Sequence, residues 1–229
     1  MRVGVISDVH ANLVALDAVL ADMPNVDALA CAGDVVGYNP WPAECIDEIR
    51  TRGVPTVMGN HDRAVAMGTG FRGNGMADAG ARHAIEILDD EEIEWLAGLS
   101  ETRRCFDGHL RLVHGHPENP DRYTYPDEFS PAMLENDARV TITGHTHVQG
   151  VREFEEGIVM NPGSVGQPRD GDPDAAFAVL DISDSDDAGG TATIDVETHR
   201  VSYDIDRVID AVEDAGLPEK IGTRLRSGR

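Results

Sequence analysis

Short apolar runs in this chain end abruptly in turns that carry aspartate, asparagine or histidine. The first run, residues 2–7, is apolar on both faces and therefore predicts a strand inside a sheet rather than at its edge. Asp8-Val9-His10 follows it, and from Asn12 the apolar residues recur with helical period. A strand, a polar turn and a helix in this order are typical of α/β units. The pattern therefore predicts an α/β fold with polar side chains at the strand ends.

The same combination of a strand and a polar turn is predicted four more times. The strands are residues 28–31, 56–58, 110–113 and 140–143. The turns after them are Gly33-Asp34, Gly59-Asn60-His61-Asp62, His114-Gly115-His116-Pro117 and Gly144-His145-Thr146-His147. Because ligands collect at the carboxyl ends of strands in open α/β sheets, we expect these turns to converge. Six of the nine histidines lie in the five turns, so chance clustering is a poor explanation.

The turn Gly59-Asn60-His61-Asp62 has the richest chemistry. Its glycine permits a tight turn where the strand passes into a loop. Asn60 can offer a carbonyl oxygen to a metal, His61 can transfer a proton or bind an oxyanion, and Asp62 can orient His61. Taken alone, the four residues fit equally well a turn whose aspartate caps a helix. The other strand ends favour the functional interpretation.

Periodicity and turn residues predict the remaining elements. Helices are expected from Pro42, with Cys45, Ile46 and Ile49 on one face, and over residues 77–88, 90–99 and 205–215. Antiparallel pairs are expected between residues 103–106 and 110–113, 150–154 and 158–161, and 177–182 and 191–200. The glycine-rich residues 68–75 predict a loop, either near the site or as a plain surface connection. The acidic residues 183–190 predict a solvated loop without function, and Arg224, Arg226 and Arg229 a basic tail.

Composition limits the classes of protein that the chain can belong to. With 229 residues and 41% hydrophobic content it can bury one sizeable core, so a single domain suffices. A net charge of -23 argues against binding to a nucleic-acid backbone or an anionic membrane. Asp8 interrupts the first apolar run, and no run approaches the length of a membrane helix. We therefore expect a cytoplasmic protein that binds neither nucleic acid nor membrane.

The charged residues and the cysteines indicate the environment. Lys220 is the only lysine, and aspartate outnumbers glutamate. We interpret this as adaptation to high salt, where carboxylates keep the surface hydrated and screening limits their repulsion. An ordinary acidic cytosolic protein is the alternative. Cys31, Cys45 and Cys105 are widely spaced and odd in number, which favours buried thiols in a reducing compartment.

Five blocks occur in a set order across most of the chain. They are Asp8-Val9-His10, Gly33-Asp34, Gly59-Asn60-His61-Asp62, His114 and Gly144-His145-Thr146-His147. This series resembles the calcineurin-like metallophosphoesterase superfamily. Two longer motifs resemble its small prokaryotic phosphodiesterase branch, which is grouped with diadenosine tetraphosphatase-like proteins. They are Gly33-Asp34-Val35-Val36-Gly37-Tyr38 and Asn161-Pro162-Gly163-Ser164-Val165-Gly166-Gln167-Pro168-Arg169. The resemblance implies a four-layer α/β/β/α sandwich of two mixed β-sheets flanked by helices, with residues 1–229 as one domain.

The resemblance also implies a dinuclear metal site. One divalent metal would bind Asp8, His10, Asp34 and His147, and the second would bind Asp34, Asn60, His114 and His145. Asp34 would bridge, with one oxygen facing each cation. Manganese is favoured, and iron, zinc, nickel or cobalt also suit nitrogen and oxygen ligands. A metal-bridging hydroxide would attack phosphorus, while His61, held by Asp62, would stabilise the transition state or protonate the leaving group.

Several residues are candidates for contacts with the substrate. Arg63 and Arg169 could bind a phosphate, or they could form surface ion pairs. His116 stands where the branch often has serine or threonine, and it either contacts the substrate or packs. Asn12 either contacts the substrate or caps the first helix. Ala11 and Asn39 stand where the branch usually has glycine, and Ala11 is expected to crowd the site slightly.

These features predict a phosphodiesterase that acts on a small organic phosphate or nucleotide. The enzymatic alternatives are hydrolysis of a dinucleoside polyphosphate, a phosphomonoester or a phosphoprotein. A DNA nuclease of this superfamily is disfavoured because the chain lacks a basic stripe. A non-catalytic interaction scaffold is the alternative of another class, but a scaffold has no chemical need for His61 and a full ligand set. The physiological substrate and whether the chain forms a homo-oligomer stay open.

Overall fold

Nine strands and seven α-helices are present in the computed structural model, which describes residues 1–134, 138–183 and 193–229. The strands are β1 (Arg2–Ile6), β2 (Ala28–Cys31), β3 (Thr102–Cys105), β4 (Leu110–Val113), β5 (Val140–Ile142), β6 (Gly150–Phe154), β7 (Gly157–Asn161), β8 (Ala175–Ser183) and β9 (Thr193–Val201). The helices are α1 (Leu13–Asp22), α2 (Pro42–Thr51), α3 (Asn60–Ala66), α4 (Gly75–Ile87), α5 (Asp90–Ala97), α6 (Ile205–Asp214) and α7 (Lys220–Thr223). Among the described residues, every helix is too short or too polar to span a bilayer.

The strands form two mixed sheets. The first has the order β2-β1-β8-β9, with β1 parallel to β2 and antiparallel to β8. The second has the order β3-β4-β5-β7-β6, with β4, β5 and β7 parallel. β1 is an internal strand, as its apolar faces predicted. The mixed α/β fold with two sheets flanked by helices is confirmed.

The two sheets pack face to face. Apolar side chains of both sheets, including Val5, Leu112, Ile142 and Leu180, form one buried cluster. The other face of the first sheet packs against helices α1, α2, α4 and α5 through a second cluster, which includes Phe177. The outer face of the second sheet is covered by two short 3-10 helices, Pro126–Glu128 and Pro131–Met133. Burial of both sheet faces explains the nearly continuous apolar character of their internal strands.

Several predicted elements differ from the observed ones. Residues 56–58 form only two isolated bridges, Cys31 with Thr56 and Val57 with Ser100, because the segment is too short for a ladder. The motif after it begins helix α3 at Asn60 rather than a loop. The expected basic tail instead begins with a 3-10 helix, Arg224–Ser227, which continues directly from α7. The predicted acidic loop lies outside the described residues, apart from Ser183, which ends β8. The three predicted antiparallel pairs are confirmed where they are described.

Candidate functional site

The polar turns that the sequence predicts at the strand ends meet in one buried cluster. Asp8, His10, Asp34, His114, His145 and His147 are each at most 5% exposed, and Asn60 is partly exposed. Five of them adopt the left-handed backbone region that favours glycine: Asp8, His10, Asp34, His145 and His147. Such a conformation costs a non-glycine residue about 1–2 kcal/mol. Its concentration here is typical of functional sites, where the surrounding fold holds strained residues in place.

Asp8, His10 and His147 form the first group of ligand atoms. The Nε2 atoms of His10 and His147 lie 3.1 Å apart, and His147 Nε2 is 3.3 Å from Asp8 Oδ1. The Nδ1 atoms of both rings face backbone carbonyls. His10 Nδ1 lies 3.2 Å from the Val36 oxygen, and His147 Nδ1 lies 2.5 Å from the Gln167 oxygen. A carbonyl only accepts, so both Nδ1 atoms must carry the proton. The two Nε2 lone pairs therefore face each other, an arrangement that suits a shared cation.

Asp34 joins this group to the second one. Its Oδ2 atom is 3.6 Å from His10 Nε2 and 3.3 Å from His114 Nε2. Its Oδ1 atom accepts a hydrogen bond from the backbone amide of His61 at 2.8 Å. The expectation that each oxygen faces one cation stays a prediction, although these distances favour Oδ2 as the oxygen nearest to both groups. A single oxygen of Asp34 faces both groups because the other is bonded to the backbone.

His114, His145 and Asn60 complete the second group. His114 Nε2 lies 3.2 Å from both Asn60 Oδ1 and His145 Nδ1. The Nδ1 atom of His114 faces the Ala32 carbonyl at 2.8 Å, so it donates and leaves Nε2 as the ligand atom. Asp34 with His114 and His145 is one of three groups among the described residues whose geometry could hold a metal ion. Asp8 with His10 and His147 is another, and the third combines His10, Asp34 and His61.

The electrostatics of the cluster also suit cations. Burial lowers the pKa of His10 and of His147 well below the usual value, which keeps them in the neutral form that binds metals. Burial raises the pKa of Asp8 to about 7, with Asp34 adding to the shift. Burial alone would lower the pKa of His114, but the Asp34 carboxylate raises it to about 10. The two buried carboxylates thus favour positive charge at the position that the ligand atoms surround.

His61 lies beside these groups on the side of an inner cavity of about 70 Å³. Its ring is enclosed by aromatic neighbours, with ring centroids 4.7 Å from Tyr38 and 4.3 Å from Phe71. Burial lowers the pKa of His61 to about 4, so the neutral imidazole is the resting form. Its Nδ1 atom makes no hydrogen bond within the described part of the chain. Gly37 is required here because a Cβ atom at that position would lie 2.4 Å from this nitrogen.

The Asp62 carboxylate makes no hydrogen bond to His61 Nδ1, which differs from the expectation from the sequence. Its carboxylate accepts hydrogen bonds from four backbone amides, those of Asp34, Val35, Val36 and Gly59, at 2.8–3.2 Å. These donors occupy the acceptor positions that a contact with His61 would need. Asp62 therefore orders two segments, the turn that carries Asp34 and the N-terminus of α3.

The candidates for substrate contacts lie in different environments. Arg169 lines the inner cavity and donates to Gln167 Oε1 at 2.7 Å and to the Tyr38 hydroxyl at 3.3 Å. Arg63 lies nearby but forms ion pairs with Asp121 and Glu101. Among the described residues that line the inner cavity, Arg169 supplies the only guanidinium.

Asn12 and His116 occupy structural positions. The side-chain carbonyl of Asn12 caps α1 by accepting a hydrogen bond from the backbone amide of Ala15 at 3.1 Å. The side-chain amide of Asn12 donates to the Gly166 carbonyl at 3.0 Å. Both polar atoms of this buried side chain thus have protein partners. His116 Nδ1 accepts from the backbone amide of Glu118 within its own turn. These contacts favour the capping and packing alternatives.

Two of the three departures from the family pattern, Ala11 and Asn39, lie next to the candidate ligand His10. Ala11 has a φ of 53°, a conformation that glycine adopts without strain. Asn39 is buried, and its amide donates to the His10 carbonyl at 2.9 Å, which supports the turn that carries a candidate ligand. Tyr38, Phe71 and Tyr123 line the inner cavity and were not among the predicted site residues. Tyr38 is the last residue of the motif that begins at Gly33, but Phe71 and Tyr123 lie in irregular segments without a periodic signal.

The fold and the site together define a class of protein. Residues 1–185 match the calcineurin-like phosphoesterase superfamily domain, and the chain belongs to this superfamily. The chain is thus a metal-dependent phosphoester hydrolase. The catalytic class predicted from the five sequence blocks is confirmed.

Similar proteins come from bacteria and archaea. The crystal structure of a metallophosphoesterase from Sphaerobacter thermophilus is 34% identical, covers 100% of this chain and 99% of its own, and superposes with a TM-score of 0.81. An uncharacterised protein of Methanocaldococcus jannaschii is 31% identical over 99% of this chain and 98% of its own length. Phosphodiesterase YfcE of Escherichia coli is 29% identical over 79% of this chain and 88% of its own. These similarities support the branch that the longer motifs indicated.

Proposed function

We propose that this protein hydrolyses phosphodiester bonds of a small organic phosphate at a dinuclear metal centre. Asp8, His10, Asp34 and His147 would hold one cation, and Asp34, Asn60, His114 and His145 the other. The clustering of all seven side chains supports this assignment, as does the position of Asp34 Oδ2 between the two groups. When bound, two divalent cations activate water and neutralise charge on the phosphoryl oxygens.

His61 and Arg169 are the proposed groups that contact the reacting phosphate. His61 is not needed for the ligand sets above, although its ring nitrogen lies within 4.8 Å of ligand atoms of His10 and Asp34. A neutral imidazole at this position donates one hydrogen bond to a phosphoryl oxygen or to the leaving oxygen. Arg169 would donate to the same phosphate, because it lines the same cavity and no carboxylate within the described residues pairs with it.

The preference for a diester is supported by the charges around the inner cavity. A diester carries a single negative charge, whereas a monoester carries up to two near neutral pH. Arg169 is the only cationic side chain among the described residues lining this cavity, and the His61 imidazole is neutral. Apart from the two proposed cations, which both classes of ester would meet, one guanidinium and a neutral donor match the smaller charge. A non-catalytic scaffold is disfavoured because the ligand set and His61 are all present.

Manganese is the proposed metal to test first, since all seven ligands offer nitrogen or oxygen and none is a thiolate. Cys31, Cys45 and Cys105 are free, which suits the proposed cytoplasmic location. We retain residues 1–229 as one domain and adaptation to high salt as further proposals. The assembly state is left open, with a homo-oligomer as one alternative.

The test compares bis-p-nitrophenyl phosphate with p-nitrophenyl phosphate, in high salt with manganese. We expect faster turnover of the diester and a loss of about 10² to 10⁴ in kcat for His61→Ala, the usual scale for a positioned acid or donor. His109→Ala is the matched control, because His109 precedes β4 at the end of the strand away from His114. Metal content is measured for each variant. Unchanged activity of His61→Ala, or turnover of the monoester alone, would contradict the proposal.

A further inference from the structure

A second cavity, of about 380 Å³, opens directly beside the inner one. The two share Asn60, Phe71, Tyr123 and His145, so a molecule bound at the candidate metal centre can extend into it. We call this second cavity the aromatic groove. Beyond the four shared residues, its lining includes Arg63, Met67, Thr69 and Asp121.

Large apolar side chains are exposed in the aromatic groove. Met67 is 66% exposed and Tyr123 is 50% exposed, and they are two of only five exposed large hydrophobic residues in the described part of the chain. On a surface dominated by carboxylates, two such residues beside a catalytic site indicate recognition of an apolar group. The Tyr123 ring lies 4.0 Å from the ring of His145, which fixes its position relative to the metal ligands.

The charged groups of the aromatic groove and the Thr69 hydroxyl already have partners, whereas His145 Nε2, on the side of the candidate metal centre, has none among the described residues. Arg63 pairs with Asp121 and Glu101, and the Thr69 hydroxyl donates to the Ala64 carbonyl at 3.2 Å. Among the described residues, no unpaired cation lines the groove that could bind a second phosphate. The matching ligand is therefore an uncharged flat group that can stack on the tyrosine and contact the thioether of Met67.

We infer that the aromatic groove binds the nucleobase of the substrate, which makes the substrate class nucleotide phosphodiesters. This inference rests on the proposed function, because a base reaches the aromatic groove only if the phosphate of the same molecule binds at the metal centre beside it. Stacking on an aromatic side chain tolerates any base, so Tyr123 and Met67 confer a preference for nucleotides over sugar phosphates rather than for one base.

The test uses two inhibitors that carry the same phosphate and differ in the base. AMP and ribose 5-phosphate are compared as competitive inhibitors of bis-p-nitrophenyl phosphate hydrolysis by the manganese-loaded enzyme. We expect AMP to bind about ten-fold or more tightly, within the range for stacking of one base. Tyr123→Ala and Met67→Ala should each reduce this ratio, and Tyr123→Phe should keep it because the ring remains.

Tyr125→Ala is the matched control. Tyr125 is 44% exposed and only two residues from Tyr123, but it does not line the aromatic groove. The ratio should not change in this variant. Equal affinity for the two inhibitors would overturn the inference, and so would an equal loss for both in Tyr123→Ala, which would indicate disturbance of His145. If no diester is hydrolysed, the proposed function fails, and calorimetric binding of the two inhibitors to the same protein still measures the ratio.

Discussion

Asp62 supports the candidate site through backbone hydrogen bonds rather than through its neighbour His61. Its carboxylate accepts hydrogen bonds from four backbone amides in two turns that are distant in sequence. Three of these amides belong to the turn that begins at Asp34, and the fourth is that of Gly59. Burial, with Asp34 adding to it, raises the pKa of Asp62 to about 7, whereas the backbone donors act in the opposite direction. The orientation of Asp34 relative to the histidines therefore depends on this buried carboxylate.

We expect Asp62→Asn to weaken metal binding and lower stability. The side-chain amide would point an N–H group at backbone donors, which leaves buried groups unpaired and costs about 1–3 kcal/mol. Disturbing the support of a metal ligand typically reduces metal affinity about 10- to 100-fold. Calorimetric titration with manganese and urea unfolding measure the two effects.

Asp89→Asn provides the control for this variant. The Asp89 carboxylate accepts a hydrogen bond from the backbone amide of Glu92 at 2.9 Å, at the exposed start of α5. Asparagine caps helices about as well as aspartate, so the change in stability should be small and metal affinity should be unaffected. Equal metal affinity in Asp62→Asn and the wild type would show that Asp34 is held by other contacts.

The residue types of the site were predictable, but their partners were not. Aspartate and histidine after glycine at strand ends indicated metal ligands, since those side chains and that position limit the chemistry. The sequence does not reveal the partners of Asp62, because its neighbour His61 suggests a contact whereas backbone amides of the Asp34 turn and of Gly59 occupy its carboxylate. Arg63 and Arg169 looked equivalent, and only the fold places Asp121 beside one of them.

The C-terminal segment shows that a short helix is also difficult to predict from the sequence. Helix α7 has four residues, too few to display a helical period, so the basic residues beside it suggested a tail. In the structure, Ile221 and Leu225 are fully buried in a cluster that also contains Tyr38 and Val212. Strands were easier to predict because both sheets are covered on both faces and their internal strands stay apolar throughout.

We therefore expect Leu225→Ala to destabilise the protein by about 2–5 kcal/mol, as for other buried leucines. Arg226→Ala is the neighbouring control. Arg226 is exposed and pairs with Asp206 at 2.7 Å, and such surface pairs contribute about 0–1 kcal/mol. Urea unfolding of both variants measures the difference. Similar stability of Leu225→Ala and the wild type would mean that the segment behaves as the tail that its sequence suggested.

At the scale of the whole molecule, negative charge far exceeds the cations available to pair with it. The chain has 42 acidic residues and 19 lysines and arginines. Several arginines already form surface pairs, including Arg52 with Glu48 and Arg200 with Asp170. Most of the remaining carboxylates therefore repel one another, and this repulsion destabilises the compact state.

Stability should therefore rise with salt concentration. The screening length falls from about 10 Å at 0.1 M to about 3 Å at 1 M, so repulsion between carboxylates is nearly removed, while the few ion pairs lose little. We expect the thermal midpoint to increase by several degrees between 0.1 and 2 M potassium chloride. Sucrose is the control, since it stabilises compact states without screening charge. If the midpoint does not change with potassium chloride, or changes no more than in sucrose, the acidic surface is not an adaptation to salt.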